Sequence, residues 1–509
     1  MAKKQNSRLI LLEVNTRILL KELSVAAGKQ VTLGTIPDQV LDGWAKLGFS
    51  GVWLMGVWST GPLGRAIAAE HQALQSEYRR ALSDFTADDV VGSPYAIQSY
   101  AVSPALGGND GLRELRNRLS DRGLILILDF VSNHTARDHA WVSQHPEYYV
   151  HGNPGEENTQ PLYYFRTATS AGERVLAYGR DPTFPGWTDT AQLNHASSLA
   201  RKALIETLNG IAELCDGVRC DMAMLVLNNV FMLIWGERTT PVAGERAQGE
   251  FWKEGIDATR KRHPGFLFVA EAYWNLEWDL QQLGFDYTYD KVLYDRLLRE
   301  GATAVRDHLK ADLEFQKRSV RFIENHDEQR AARALPSEAW HYAAATVIAT
   351  VPGMALFHDG QMEGRSIRVP VQLDRREKEP VSERTVLFYT KLLSCVSDKI
   401  FQKGEWRLLS ARPAWQENPT WQNFLAFWWQ LSTGTARLVV INYAPHTGQC
   451  YVEIPLDGIE RSPVEFRDLM GEAVYVRDKN GLTMKGMYFD LPPYGIHIFS
   501  VGGVRRHAK

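Results

Sequence analysis

LILILDFVSNH, residues 124–134, is the stretch on which the fold turns. Leu124 to Leu128 are all apolar, Asp129 interrupts them, Phe130 and Val131 resume the run, and Ser132, Asn133 and His134 leave it. A strand with one face in water alternates apolar with polar residues, whereas a parallel strand covered by helices on both faces reads as a near-continuous apolar run. Residues 124–131 are therefore expected to form a strand buried on both faces, with a carboxylate near its C-terminal end.

The pattern recurs in both directions along the chain. RLILLEV (8–14) and GVWLMGVW (51–58) precede it; GVRCDMA (217–223), FLFVAEAY (266–273), FDYTYD (285–290), SVRFIENHD (319–327) and GMALFHDG (353–360) follow. With 124–131 they make eight strands, FDYTYD being the weakest. Amphipathic segments lie between them: PDQVLDGWAKLG (37–48), GLRELRNRLSDRG (111–123) and LARKALIETLNGIAEL (199–214). Pro37 and Asp38 suit a helix start, and Gly48 and Gly123 suit helix ends. Strand and helix alternating through eight repeats predict an α/β fold of the (β/α)8 barrel type rather than an open doubly wound sheet. No phosphate-cradling glycine motif follows the first strand, which argues against dinucleotide binding.

Two insertions break the rhythm, a long loop at 59–110 after strand 2 and residues 132–195 after strand 3, the latter rich in Pro, Gly, His and Tyr. Long loops at the C-terminal ends of barrel strands are where such proteins build their sites. Beyond about residue 400 the text changes to FLAFWWQL (424–431), ARLVVINYA (436–444), CYVEIPL (450–456), AVYVRD (473–478) and IHIFSV (496–501), an antiparallel β domain. The expected division is a first part of the barrel at 1–131, an inserted domain at 132–195, the rest of the barrel at 196–399 and a C-terminal β-sandwich at 400–509. Residues 505–509, RRHAK, read as a disordered tail.

Composition narrows the function classes. The 509 residues carry a formal charge of -3, so no strong field favours nucleic acid or an anionic membrane, and a neutral substrate fits better. Fifteen tryptophans suit sugar stacking and an ordinary large core alike. Cys215, Cys220, Cys395 and Cys450 show neither a CxxC pattern nor metal-ligand spacing, and read as reduced thiols of a cytoplasmic protein. The first 20 residues are basic and then apolar, yet Glu13, Asn15 and Arg17 interrupt the run and no small-residue cleavage site follows, so a signal peptide is not expected. No stretch is long and apolar enough to span a bilayer. The oligomeric state is not legible.

Four of the strand ends carry acids. Asp129 lies in LILILDFVSNH with Asn133 and His134 following; Arg219 and Asp221, two apart in DGVRCDMA, share one face of a strand; Leu267, Val269 and Glu271 alternate onto the inner face of FLFVAEAY; Asn325, His326 and Asp327 close VRFIENHDEQR. A carboxylate at the end of an apolar strand is expensive to desolvate without a partner or a task. Two such groups, one ionised nucleophile and one acid held protonated by its surroundings, are what glycoside hydrolysis requires.

These segments closely resemble the conserved regions of glycoside hydrolase family 13, the α-amylase family, over nearly the whole chain. The resemblance extends to TAQLN (190–194), to VPGMALFHDGQMEGR (351–365) and to FYTKLLSCVSDKIFQKGEWRLL (388–409). It implies Asp221 as the nucleophile that forms a covalent glycosyl-enzyme, Glu271 as the general acid/base, and Asp327 as a carboxylate binding sugar hydroxyls. It further implies substrate-binding roles for Arg219, His134, His326 and Tyr95, the last in SPYAIQSY with Tyr100 five residues on. Asp129, Asn133 and Asn325 would support the site, Asp129 by orienting Arg219. His358 is expected to line strand 8.

Departures from the family pattern concern substrate and metal. Met224 and Leu225 stand three and four residues after Asp221, where many family amylases carry Lys and His. Ser99 stands where an Asp often precedes the second tyrosine. The Lys contacts sugar on the leaving-group side, and the His often joins a calcium site through its backbone; of that site only Asn133 clearly survives, so neither cofactor nor metal is expected. The resulting expectation is a retaining hydrolase of α-glucosidic bonds in malto-oligosaccharides or α-glucans. The alternative is a transglycosylase of 4-α-glucanotransferase type using the same residues, and a remote one is an inactive amylase-like binding protein.

Overall fold

The computed structural model describes residues 8–335, 337–460 and 462–503; the tail at 505–509 and the first seven residues of the basic N-terminus lie outside them. Eight parallel strands close into a barrel: β1 (Ile10–Asn15), β2 (Gly51–Met55), β3 (Ile125–Val131), β4 (Gly217–Asp221), β5 (Leu267–Ala270), β6 (Tyr287–Tyr289), β7 (Ser319–Arg321) and β8 (Met354–His358). Each strand pairs with its sequence neighbours, and β8 pairs with β1 to complete the ring. All eight expected strands are present, and residues 10–15, weighed above as part of a leader, are one of them.

Alternation sorts the side chains. Ile10, Leu12 and Val14 of β1, Leu126 and Leu128 of β3, Val218 of β4 and Phe268 of β5 point outward into the main core with the helices. Leu11, Trp53, Ile127, Val269, Tyr289, Val320 and Leu356 point inward and fill the barrel. Both faces of each strand are thus dry, which is why the strands read as continuous apolar runs. The helix that precedes β2, Asp38–Lys46, starts after Pro37 and stops where Gly48 adopts φ +90°. Gly353, at φ +100°, admits the chain into β8 where a Cβ would stand 2.2 Å from the Ser319 carbonyl oxygen, a contact no other residue tolerates.

The segment at 59–110, expected as a loop, contains helices Pro62–Glu70 and Gln72–Ala81 and ends in a hairpin in which Ile97–Val102 pairs with Trp58–Thr60. Ala68, Tyr78, Ala81 and Leu82 give those helices a small core of their own with Val90 and Leu373, the latter from the chain after β8. Residues 132–195 hold two antiparallel pairings, His134–Ala136 with Thr190–Gln192 and the hairpin Tyr164–Thr169 with Gly172–Ala177.

The C-terminal region forms a six-stranded and a three-stranded sheet, including four strands the sequence reading omitted: Glu405–Leu408, Ala411–Pro413, Val464–Asp468 and Met487–Leu491. Their apolar residues alternate with charged ones or are few. Phe424, Trp428, Leu438 and Val440 of the larger sheet pack against Cys450, Val452 and Phe489 of the smaller. The other face, with Leu425, Phe427, Trp429 and Val439, joins the core of the barrel. The Trp429 indole donates to the Thr350 carbonyl at 2.7 Å and the Tyr443 hydroxyl to that of Leu297 at 2.7 Å, so the sheet is bolted to the barrel by polar as well as apolar contacts. All four cysteines are free thiols.

Candidate active site

Strand register decides which side chains meet. Cys220 pairs with Ala270, so the next residues, Asp221 and Glu271, stand level at the C-terminal ends of β4 and β5. Arg219, two residues before Asp221 and on the same face, is almost wholly buried beneath them. Its Nη1 donates to Asp221 Oδ1 at 2.5 Å, its Nη2 lies 2.8 Å from Glu271 Oε2, and its Nε donates to the Tyr289 hydroxyl at 3.3 Å. One guanidinium therefore spans both carboxylates. The rings of Trp53, Tyr95 and Tyr289 surround it, with Cζ 5.1, 5.3 and 5.7 Å from their centres, which suits a desolvated cation.

The two carboxylates are treated unequally. Burial raises the Glu271 acid, Arg219 pulls it back, and the charges of Asp221 and Asp327 push it up again, to about 7. Glu271 Oε2 also accepts from the Met222 backbone N–H at 2.6 Å, and Oε1 from the Tyr273 hydroxyl at 2.8 Å, so its rotamer is fixed. Met222 takes φ 42°, uncommon for a side chain of its size, which turns its N–H back towards Glu271.

Asp327 lies beyond β7, in a turn made by Asn325, whose Oδ1 accepts from the N–H groups of Asp327 at 3.0 Å and Glu328 at 2.9 Å. Its side chain is 48% exposed, the most open of the three acids. His326 Nε2 is 3.1 Å from Asp327 Oδ2 and 2.8 Å from the Tyr95 hydroxyl, while Nδ1 meets Glu13 Oε1 at 2.6 Å. Burial works against the imidazolium, but Asp327 and Glu13 outweigh it and hold His326 well above the usual histidine range. Despite that opening, the surrounding protein still opposes ionisation of Asp327, and His326 overcomes it, down to about 2. Tyr95 stacks on His326 with ring centres 5.4 Å apart. His134 is pushed by burial down to about 4 and is therefore neutral, with Trp187 against its ring at 5.2 Å.

Asp221, Glu271, Asp327, Arg219, His326 and Tyr95 are thus joined by direct contacts, with His134 beside them. Two expectations are corrected. Asp129 makes neither a hydrogen bond nor an ion pair to Arg219 among the described residues. Its carboxyl, raised by burial to about 6 despite Arg219, accepts instead from the Trp53 indole at 3.1 Å and the Gly56 N–H at 3.2 Å. The Trp53 ring, which bonds Asp129 through its indole N–H, is also a neighbour of the guanidinium. Met224 and Leu225 are wholly buried in the main core and present no accessible surface to a sugar. Tyr100 braces β3 from outside the cleft, its hydroxyl bonded to both the N–H and the carbonyl of Val131. His358 does end β8, with Nδ1 2.6 Å from Arg330.

The sequence reading missed Glu13, Trp53, Tyr289 and Tyr273. Glu13 carried the same signal as the others, an acid closing an apolar strand, and Tyr289 sits two residues from Tyr287 on the inner face of β6. The residues present do not fit the family's calcium site. Both ends of the Asn133 amide are taken by Gln192, at 3.2 and 3.0 Å, and Leu225 offers only its backbone carbonyl. Among the described residues no group of three or more His, Cys, Asp or Glu side chains converges to hold an ion.

Chemically the arrangement offers a carboxylate on a fixed cation level with a carboxyl still protonated near neutrality, plus an ionised acid on an imidazolium. Comparison with known proteins is consistent with it. Residues 38–367 match the family model described as alpha amylase, catalytic domain. Alpha-amylase MalA of Haloarcula japonica is 24% identical over 381 residues, 73% of this chain but 51% of that protein. An alpha-1,4-glucan:maltose-1-phosphate maltosyltransferase of Pseudomonas aeruginosa is 24% identical over 205 residues, 39% of this chain and 25% of that protein. The chain thus spans about half or less of the length of these two relatives. Among solved structures, the noncanonic maltogenic alpha-amylase AmyB of Thermotoga neapolitana superposes with a TM-score of 0.68 at 19% identity, covering 97% of this chain and 98% of the other.

Proposed function

The chain belongs to the alpha-amylase family, and from that premise we propose that it cleaves α-glucosidic bonds of malto-oligosaccharides or α-glucans with retention of configuration. Asp221 attacks the anomeric carbon, and Glu271 gives its proton to the departing oxygen. Glu271 then takes a proton from the water or sugar that releases the glycosyl group. Asp327, His326 and His134 hold hydroxyls of the reacting sugar, and Tyr95 forms the floor beneath it. The observation that carries this reading is the single Arg219 guanidinium hydrogen-bonded to Asp221 through Nη1 and ion-paired with Glu271 through Nη2 at 2.8 Å. Two carboxyl groups that close leave no room for an attacking water between nucleophile and sugar, which favours the covalent, retaining route over the inverting one.

The test is the anomer first released from maltotetraose, read by proton NMR before mutarotation: the α form is expected, and initial release of the β form would overturn the reading. Transfer to a second sugar is a serious rival to hydrolysis on one observation. Trp274 and Trp278, 45% and 44% exposed, follow shortly after Tyr273, which itself bonds Glu271. Exposed indoles there suit an acceptor sugar, and the products of a maltotriose digest, longer or shorter than the substrate, separate the two outcomes. An inactive binding protein has no support from a site whose three acids and arginine are all in place.

We read the enzyme as independent of metal and of cofactor, since both ends of the Asn133 amide are occupied by Gln192 and Leu225 brings no side-chain donor. EDTA is expected to leave both activity and melting temperature unchanged. A fall of many degrees, restored by calcium, would mean that another donor set binds an ion selective for the folded state. Among the described residues no helix is long and apolar enough to cross a membrane. Four unpaired thiols support a cytoplasmic setting.

A further inference from the structure

Glu13, near the C-terminal end of β1, is wholly buried and lies outside the stretch 38–367 that matches the family model. Every hydrogen bond its carboxyl makes among the described residues goes to one neighbour. Oε1 accepts from the His326 backbone N–H at 3.3 Å and meets the ring Nδ1 at 2.6 Å, while Oε2, sealed from solvent, has no partner. Burial opposes the charge of Glu13, and His358, His326 and Arg219 together hold it ionised, below the usual carboxylate range. An amide of the same size would accept the same bonds without burying a charge, so anchoring the chain at His326 does not account for a carboxylate here.

His326 stands between two acids, Nδ1 facing Glu13 and Nε2 facing Asp327. A neutral imidazole carries one N–H and can serve only one of them, whereas the imidazolium serves both. The other charges nearby do not help it. Arg219 of β4 and, when protonated, His358 of β8 add positive charge, and Arg330, Arg365 and Arg376 line the recess beside the ring with His358 and Asp359. Arg330 is paired with Glu324 at 3.1 Å, Arg376 with Glu22 at 2.7 Å and Asp359 at 2.6 Å, and Arg365 has no ion pair among the described residues. Asp129 of β3 is the further acid within reach, and it is bonded to Trp53 and Gly56. The rings of Trp53 and Tyr95 cover the imidazole and bring no charge. Of the two acids paired with His326, Asp327 is open to water, so Glu13 is the countercharge that solvent does not screen.

We propose that Glu13 is a positioning residue for the reacting sugar: by keeping both ring nitrogens of His326 protonated, it directs Nε2–H at Asp327 and so sets the grip of Asp327 on sugar hydroxyls. This rests on the reading that Asp327 and His326 hold that sugar. Without the charge of residue 13 the ring can become neutral with its one N–H turned towards that residue. Nε2 then presents a lone pair to the Asp327 carboxylate, the two repel, and Asp327 leaves its place. Burial works against the imidazolium while Asp327 and Glu13 raise it. Removing Glu13 therefore leaves the ring charged at low pH and uncharges it as the pH rises. The effect falls on affinity first, since Glu13 bonds neither Asp221 nor Glu271 among the described residues.

The test is Glu13→Gln, which keeps the size and an accepting oxygen and removes the charge. Its KM for maltotetraose should lie near wild type at about pH 5.5 and exceed it at least about tenfold by about pH 8, the gap between a charge-assisted hydrogen bond and an ordinary one. In both proteins kcat should keep the alkaline fall set by Glu271. A packing role would instead raise KM by the same factor at every pH, and that result in the folded variant would overturn the proposal. Nitrogen NMR of protein labelled at histidine reads the ring without substrate, with His326 identified by the signal lost in His326→Gln. Wild type should show both nitrogens protonated up to about pH 8, and Glu13→Gln only one. Should Glu13→Gln fail to fold, the wild-type spectrum decides, and a neutral His326 at about pH 7 would overturn the proposal. Release of the β anomer beside the expected spectra would remove the catalytic reading and leave the hold of Glu13 on His326 standing.

Discussion

Asp221→Asn is expected to reduce turnover of maltotetraose by roughly four or more orders of magnitude while leaving the melting temperature within a few degrees of wild type. The amide is nearly isosteric with the carboxylate and its oxygen can still accept from Arg219. What it lacks is the negative charge that attacks the anomeric carbon. Its neighbours are untouched, so a general loss of structure would not accompany the loss of rate. Circular dichroism and a melting curve beside the assay make the result readable. Turnover near wild type in a folded Asp221→Asn protein would remove Asp221 from the chemistry and with it the covalent mechanism.

Glu271→Gln is the second large effect, and its size should depend on the leaving group. Loss of a positioned proton donor costs roughly 10²- to 10⁴-fold where the departing oxygen needs protonation, as the alcohol of a maltose unit does. An aryl glucoside with an acidic phenol needs little help and should lose far less in the bond-breaking step. The pH profile gives an independent reading. A donor works only while protonated, and burial beside Asp221 and Asp327 holds Glu271 up to about 7. Wild-type activity should therefore be present below pH 7 and fall as the pH rises through it, and the Gln variant should lack that fall. An equal loss on both substrates, or an unchanged alkaline limb, would assign the proton to another group.

Much of this was visible before any coordinates, and the exceptions have physical reasons. LILILDFV and its seven counterparts were readable because both faces of a barrel strand are dry, leaving a continuous apolar run. Asp221 and Glu271 were readable because period-two alternation holds until the strand ends. It stops there. Met222 turns into the left-handed region, and the short helix Ala223–Val226 swings Met224 and Leu225 into the core, so distance in sequence from Asp221 misjudged where they point. Asp129 was misjudged for a related reason. It pairs with Arg219 in the backbone register, but its carboxyl is engaged by the Trp53 indole and the Gly56 N–H instead of the guanidinium. Glu13 was overlooked although it closes RLILLEV as Asp129 nearly closes its own strand. Its significance depends on His326, 313 positions away, which no local pattern reveals.

The guanidinium shared by Asp221 and Glu271 also bears on how such a protein can change through descent. The proton affinity of Glu271 depends on the charge of Asp221, and both acids lean on a fork that lysine, a point charge, cannot reproduce. Substitutions at the three positions should therefore be strongly non-additive: the first loss forfeits nearly all that the trio achieves, and the second and third cost little more. Natural selection then sees Arg219, Asp221 and Glu271 as one heritable character. A lineage drifting away from catalysis would have no reason to guard any two of them once one had gone, and intermediates with a partial set would be short-lived.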